Sequence, residues 1–212
     1  SLLVLVMVFF FVIFGAGYLK AQNVAASDAL SSRIETQLAQ QPSDTSLFFI
    51  IQLVRGHCGH DLNCLFETYR TVMFNLESNF NIPAALYVCQ AVLEVTQQQK
   101  DLEAQGGTYM NLSRYYDALG LDRQATVNID KALPLIKQAG SYMATVEARM
   151  TKLERSEKHR KLEEVLTDMD ALLTEALGKG DSLAIYHLHA RMLGFKMDAK
   201  RFDEAANHIA AI

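Results

Sequence analysis

Helix-breaking residues are scarce in this chain: three prolines and eleven glycines among 212 residues. That scarcity suits long helices, because proline and glycine are the residues an α-helix tolerates least. A long basic run is also missing, and the formal net charge is −4 with a pI near 5.9. Sequence-independent nucleic-acid binding needs clustered Lys and Arg to neutralise phosphates, so a nucleic-acid partner is disfavoured. No glycine-rich phosphate loop, nucleophile elbow, His-Glu-x-x-His or kinase signature occurs. Carboxylate pairs such as Glu163-Glu164 are adjacent in sequence and diverge on a helix, and His187 and His189 sit two apart, facing different directions. Neither pair can act jointly on a substrate or a metal. An enzyme is not expected, and neither is a cofactor.

What is present is a chain that is 50% hydrophobic and long enough to bury a substantial core. Its most informative stretch runs from Tyr109 to Pro134, YMNLSRYYDALGLDRQATVNIDKALP. Tyr109, Leu112 and Tyr116 form one apolar stripe at helical spacing. Leu119-Gly120 breaks that helix, glycine being the residue that accepts the left-handed conformation at such a stop. Asp122 is then placed to cap a second helix, whose stripe is Ala125, Ile129, Ala132 and Leu133.

A shift of 40 residues superposes second-helix positions over four units. Ala85, Ala125, Val165 and Ala205 align; so do Cys89, Ile129, Met169 and Ile209, and so do Val92, Ala132, Leu172 and Ile212. A further column holds Ile82, Asp122, Leu162 and Phe202, with Asp122 the polar exception. First helices repeat less faithfully. Tyr69 matches Tyr109, and Val72 matches Leu112 and Met192, but Arg149 and Lys152 fill those columns in the third unit, where Val146, Met150 and Leu153 carry the stripe instead.

These positions resemble the signature of the tetratricopeptide repeat, a helix–turn–helix unit that stacks into a solenoid. The aromatic, Leu and aromatic of the family's first helix are Tyr109, Leu112 and Tyr116, and its two Ala are Ala125 and Ala132, with Ile129 between them. Ser113 stands where the family has Gly, which is expected to widen the helix contact slightly. The resemblance implies an all-α fold, an α-solenoid of about five antiparallel helix pairs. The family period is about 34 residues, so a period of 40 calls for longer helices or connections. A HEAT-like array, at about 40–47 residues per unit, is the alternative architecture.

Taken in order, residues 1–21 hold an unbroken apolar run from Leu2 to Phe14, continuing to Leu19. It reads as a secretory signal cut after Ala21, with a membrane anchor as the alternative. Either way the remainder is exported. Residues 22–63 read as a degenerate first pair: a helix over Val24–Gln40 with the stripe Leu30, Ile34 and Leu38, then one capped by Ser43-Asp44 whose apolar run Leu47–Val54 suggests cover on both sides. The polar connection from Arg55 to Cys64 carries His57, Cys58, His60 and Cys64. Its favoured reading is a Cys58–Cys64 disulfide, with a metal site as the alternative, and Cys89 is an inert buried thiol. Residues 64–212 read as repeats 64–103, 104–143, 144–183 and a truncated 184–212, with Gly106-Gly107 separating two helix pairs. Ser141 caps a charged helix reaching about His159, whose charges read as a solvated face of i,i+4 pairs. The apolar stripe Ala205, Ile209, Ile212 at the end calls for further chain to cover it.

The tetratricopeptide resemblance also implies where a partner sits: the first helix of each unit lines a groove that takes an extended peptide or a partner helix. Carried over by position, the groove-facing residues are Met110, Arg114, Asp117 and Ala118 in one unit and Arg70, Phe74 and Glu77 in the preceding one. Arg114 beside Arg70 could clamp a carboxylate while Phe74 and Met110 supply apolar contact. The expected partner is a protein or peptide, or a second copy of the chain, with membrane contact only through the N-terminal apolar segment or a region beyond Ile212. The stretches NIPAALY and YMNLSRYYDALG also look like the exported repeat segments of bacterial sensor histidine kinases and transcriptional regulators, which implies a periplasmic input domain. A free-standing exported scaffold is the other reading.

Overall fold

The structure is a computed structural model, which describes residues 44–209. The N-terminal apolar run, the helix expected over Val24–Gln40 and the terminal Ile212 lie outside the described residues. Among the described residues nine helices follow one another: α1 Asp44–Cys58, α2 Leu62–Ser78, α3 Ile82–Gln99, α4 Leu102–Ala118, α5 Asp122–Ala139, α6 Tyr142–Ser156, α7 Leu162–Lys179, α8 Ser182–Asp198 and α9 Phe202–Ile209. There is no strand among the described residues.

After α2 every helix opens 20 residues beyond the one before it, and local chemistry explains the step. A helix start leaves backbone N–H groups unpaired, and a short polar side chain at the preceding residue can accept from them. Asp61 Oδ1 accepts from Asn63 N–H and Cys64 N–H at 3.0 and 3.1 Å, Asn81 Oδ1 from Ala84 N–H at 3.2 Å, Asp101 Oδ1 from Ala104 N–H at 2.9 Å, and Asp181 Oδ1 from Ala184 N–H at 3.0 Å. At the other end, residues 80, 100, 120, 140, 180 and 200 all have positive φ. The next N–H then reaches back to a carbonyl of the last turn, as from Asn81 to Leu76 O at 2.9 Å and from Leu121 to Tyr116 O at 2.8 Å. Glycine fills three of these six positions; Phe80, Lys100 and Lys200 fill the others at φ of 57°, 57° and 61°.

Three expectations need correction here. Asp122 does not cap α5: the capping position is Leu121, without a side-chain hydrogen bond. Gly106 and Gly107 separate nothing, since both lie inside α4. The connection before Cys64 is short because α1 runs through Arg55 to Cys58. Ser141 does occupy the capping position of α6, but only its carbonyl is used, accepting from Thr145 Oγ1 at 2.8 Å.

The chain forms two compact units that divide between Ala91 and Val92, within α3. In the first unit α1 packs on α2. Leu47, Ile50, Ile51 and Val54 are buried along one face of α1, whereas Phe48 and Phe49 are 56% and 44% exposed, so the helix is covered on one side rather than two. Tyr69 is fully buried, and its hydroxyl donates to Ile51 O at 3.3 Å. Cys58 and Cys64 are joined by a disulfide, and Cys89 is a buried free cysteine.

In the second unit each helix packs on the next from α4 to α9, and α4 also meets α6, as α6 meets α8. Alternate helices therefore share a layer, as hairpins stacked side by side require. The columns spaced by 40 residues form the inner seam: Ala125, Ile129, Ala132, Val165, Met169, Leu172 and Ala205 are all at most 1% exposed. Ile209 departs from its column, being 62% exposed. Val146 and Met150 are buried with Leu153 packed against them, which leaves Arg149 and Lys152 to the surface. Ser113 closes the α4–α5 contact instead of widening it. Its buried Oγ donates to Ala125 O at 2.7 Å.

Candidate functional site

The alternate helices α4, α6 and α8 carry a charged cleft of about 340 Å³, lined by Arg114, Asp117, Glu147, Thr151, Glu154, Arg155, Lys158 and Arg191. The α6 contributors sit at positions 147, 151, 154 and 155, a spacing that places them on one side of the helix, and Lys158 follows in the turn after Ser156. On the neighbouring face, Val146 and Met150 anchor α6 in the core. The polar face therefore has to look outward into the layer shared with α4 and α8.

Most charges in the cleft are spent on one another across helices. Arg155, its side chain only 11% exposed, places Nη1 2.6 Å from Asp117 Oδ1 and donates from Nη2 to Asp122 O at 3.2 Å. Lys158 Nζ donates to Asp117 Oδ1 at 2.8 Å and to Asp122 Oδ1 at 2.7 Å. Burial pushes the Asp117 carboxyl pKa up, but hydrogen bonds from Lys158 and Arg155, with their charges, outweigh that and hold it below the usual carboxylate value. Arg191 grips Glu154 with two nitrogens, Nε at 2.9 Å, and reaches Thr151 Oγ1 at 3.5 Å. Arg114 donates to Asn111 Oδ1 at 3.3 Å. Glu147 is half-buried and has no hydrogen bond or ion pair among the described residues.

Of the residues expected to face a groove, Arg114 and Asp117 do meet in this cleft, and Ala118 is exposed beside them. Met110 does not. It is 5% exposed and packed with Ile129, Ala132, Ile136 and Ala148, because its turn of α4 faces α5. Arg70, Phe74 and Glu77 belong to the first unit. There Arg70 pairs with Glu67 at 3.5 Å and lies 6.0 Å from the Phe66 ring, Phe74 is 66% exposed, and Glu77 is half-buried. The disulfide takes both thiols of the Cys58–Cys64 segment out of any metal-ligand set, and His57 and His60 are exposed.

The charged run of α6 differs from its reading as a set of i,i+4 pairs. Besides the cleft contacts, Arg149 pairs with Glu175 of α7 at 2.6 Å and Lys152 with Asp130 of α5 at 2.7 Å. The face at 147, 151, 154 and 155 shows in the sequence as a helical spacing; the contacts made by Arg155, Lys158 and Arg191, with partners 33 to 41 residues away in the chain, do not. A second pairing also went unforeseen. His189 of α8 meets His208 of α9 with 2.8 Å between their Nδ1 atoms and 5.1 Å between ring centroids. Burial, then the charges of Lys196 and His189, hold the His208 pKa below its ordinary value, against the opposing pull of Asp170 and Glu204. No group of three or more His, Cys, Asp or Glu side chains converges on a metal position among the described residues.

No family model matches the chain, and no curated protein matches it either. One solved structure it is similar to is that of a kinesin-light-chain-like protein from Podosopora anserina with nearly identical TPR-like repeats. The TM-score is 0.51 at 10% identity, over 87% of this chain and 93% of that one. At that identity the likeness speaks for architecture alone. With the helices packed in consecutive pairs, it gives the chain an all-α, tetratricopeptide-like solenoid fold.

Proposed function

We propose that the chain is a protein-interaction scaffold without catalysis, and that its partner is a protein or extended peptide lying across α4, α6 and α8. One observation carries this reading: the cleft of about 340 Å³ is built from the shared layer of alternate helices and lined by Arg114, which is exposed, and by the half-buried Asp117, Glu147 and Arg191. Tetratricopeptide-like arrays generally bind proteins, which supports the reading by analogy of fold. A photo-crosslinking residue at Ala118, exposed on α4, is expected to trap a partner that the same residue at Val127, exposed on α5, does not. Equal trapping from both positions would show the groove assignment to be wrong.

The finer reading is that this scaffold is the exported, periplasmic input segment of a bacterial signalling protein, tethered or secreted through residues 1–21. Its support is the apolar run from Leu2 to Phe14 and the Cys58–Cys64 disulfide, a bond that persists in oxidising compartments. Among the described residues no helix is long and apolar enough to cross a membrane. Fusion of residues 1–212 to a reporter phosphatase that folds only in the periplasm tests it. Activity is expected from the intact chain and not from residues 22–212 alone, and an inactive intact fusion contradicts export.

A further inference from the structure

We infer that the cleft selects a cationic group, the ammonium or guanidinium of a basic residue or the N-terminal amine of a peptide, with the Glu147 carboxylate as its acceptor. This rests on the groove reading above and adds the chemistry of the ligand.

Charge balance within the cleft sets the sign of its ligand. Arg114, Arg155, Lys158 and Arg191 line it, against Asp117, Glu147 and Glu154. Three of the cations hold carboxylates: Arg155 and Lys158 hold Asp117, Lys158 also holds Asp122, and Arg191 holds Glu154 through two nitrogens. Arg114 is engaged as well, donating to Asn111, and an acidic ligand that met Arg155 or Arg191 would have to take it from these partners, leaving a half-buried carboxylate unpaired behind it. That exchange gains little, because breaking an established charge-assisted pair costs about what the new one returns. Glu147 stands apart, half-buried on α6 and without a hydrogen bond or ion pair among the described residues. A carboxylate in that position loses water without gaining a donor, so an incoming cation stabilises it and displaces nothing. Thr151, one turn further along α6, adds a hydroxyl beside the same space. The volume lies near the lower end of the range for ligand pockets, about 300–1,000 Å³, so the cleft fits one long side chain or a chain terminus.

The test is a titration of the full chain followed by amide chemical shifts. The probes are four Gly–Ser peptides: N-acetylated with one central Lys, with one central Arg, or with one central Glu, and a fourth without charged side chains but with a free N-terminus. Shifts confined to α4, α6 and α8 are expected with the Lys, Arg or free-amine peptide, the choice among them naming the source of the cation. Glu147→Gln is expected to weaken that binding about tenfold, whereas Glu157→Gln, exposed at the end of the same helix and outside the cleft, leaves it unchanged. Preference for the Glu peptide, an unaltered affinity in Glu147→Gln, or no binding of any basic probe at millimolar concentration overturns the inference while leaving the groove reading intact. Shifts on other helices overturn both.

Discussion

Gly106 of α4 faces Ile136 of α5 so closely that a Cβ at position 106 would stand 2.3 Å from Ile136 Cγ1 and 3.3 Å from Ala132 O. Alanine in a helix interior ordinarily gains about 0.5–1 kcal/mol over glycine. Here overpacking, typically about 1–3 kcal/mol, opposes that gain and exceeds it, because the Ala132 carbonyl beside Ile136 is backbone and cannot rotate away. Gly106→Ala is expected to lower the chemical-denaturation midpoint. Combined with Ile136→Ala, the loss should be smaller than the sum of the two single losses. Strict additivity would mean that the two helices do not touch there.

Lys100 offers a change of opposite sign. It sits at φ 57° with an exposed side chain, in a conformation that costs a non-glycine residue about 1–2 kcal/mol. Lys100→Gly relieves that cost and loses part of the gain to the greater freedom of glycine in the unfolded chain. A net stabilisation of about 0.5–1 kcal/mol is expected by thermal unfolding. The reverse change at an equivalent turn, Gly140→Ala at φ 80°, should destabilise.

The histidine pair makes stability depend on pH in a defined window. The folded pKa of His208 lies below its ordinary value of 6.5, so the unfolded chain takes up its proton first. The contribution of this group is present above about pH 6.5 and is lost as pH falls through the folded pKa. Protonating both rings would also set two cations against each other at 2.8 Å, with Lys196 close by and only Asp170 and Glu204 to compensate. Melting temperature is therefore expected to fall between neutral pH and the carboxylate range, and His208→Gln should flatten that slope. The carboxyls of Asp117 and Glu175, both held low, act only below their ordinary 3.8 and 4.5, outside this window. An unchanged slope in His208→Gln would assign the effect elsewhere.

Reduction should weaken the first unit. The Cys58–Cys64 bridge spans six residues, and a loop that short contributes about 2–3 kcal/mol on the chain-entropy argument. Dithiothreitol, or the Cys58→Ser/Cys64→Ser pair, is expected to shift the denaturation midpoint by a matching amount. No shift with either would mean that the bridge constrains nothing.

Much of the helical framework was legible from periodicity alone. Ala125, Val165 and Ala205 recur at 40-residue intervals on the second helices of successive pairs and are buried there, as Ala85 is in the first unit. The details that failed depend on contacts remote in sequence. Gly106 reads as a helix breaker until Ile136, 30 residues later, shows why no side chain fits. Asp122 reads as a cap until Lys158, 36 residues later, claims its carboxylate. The repeat resemblance puts Met110 in the groove, but a turn of α4 that faces α5 belongs to the core. The cleft had the same problem: its α6 face shows in spacing, its partners only in three dimensions.

The even step between helix starts has a bearing on how such a chain can change length. From Leu62 to Phe202 each helix begins 20 positions after the last, so within the second unit, from α4 to α9, the helices follow one another like uniform rungs. Gain or loss of two rungs preserves which helices alternate into the cleft-bearing layer. Gain or loss of a single rung would transpose the two layers beyond the join, carrying α6-type charges into the seam that alanines now occupy.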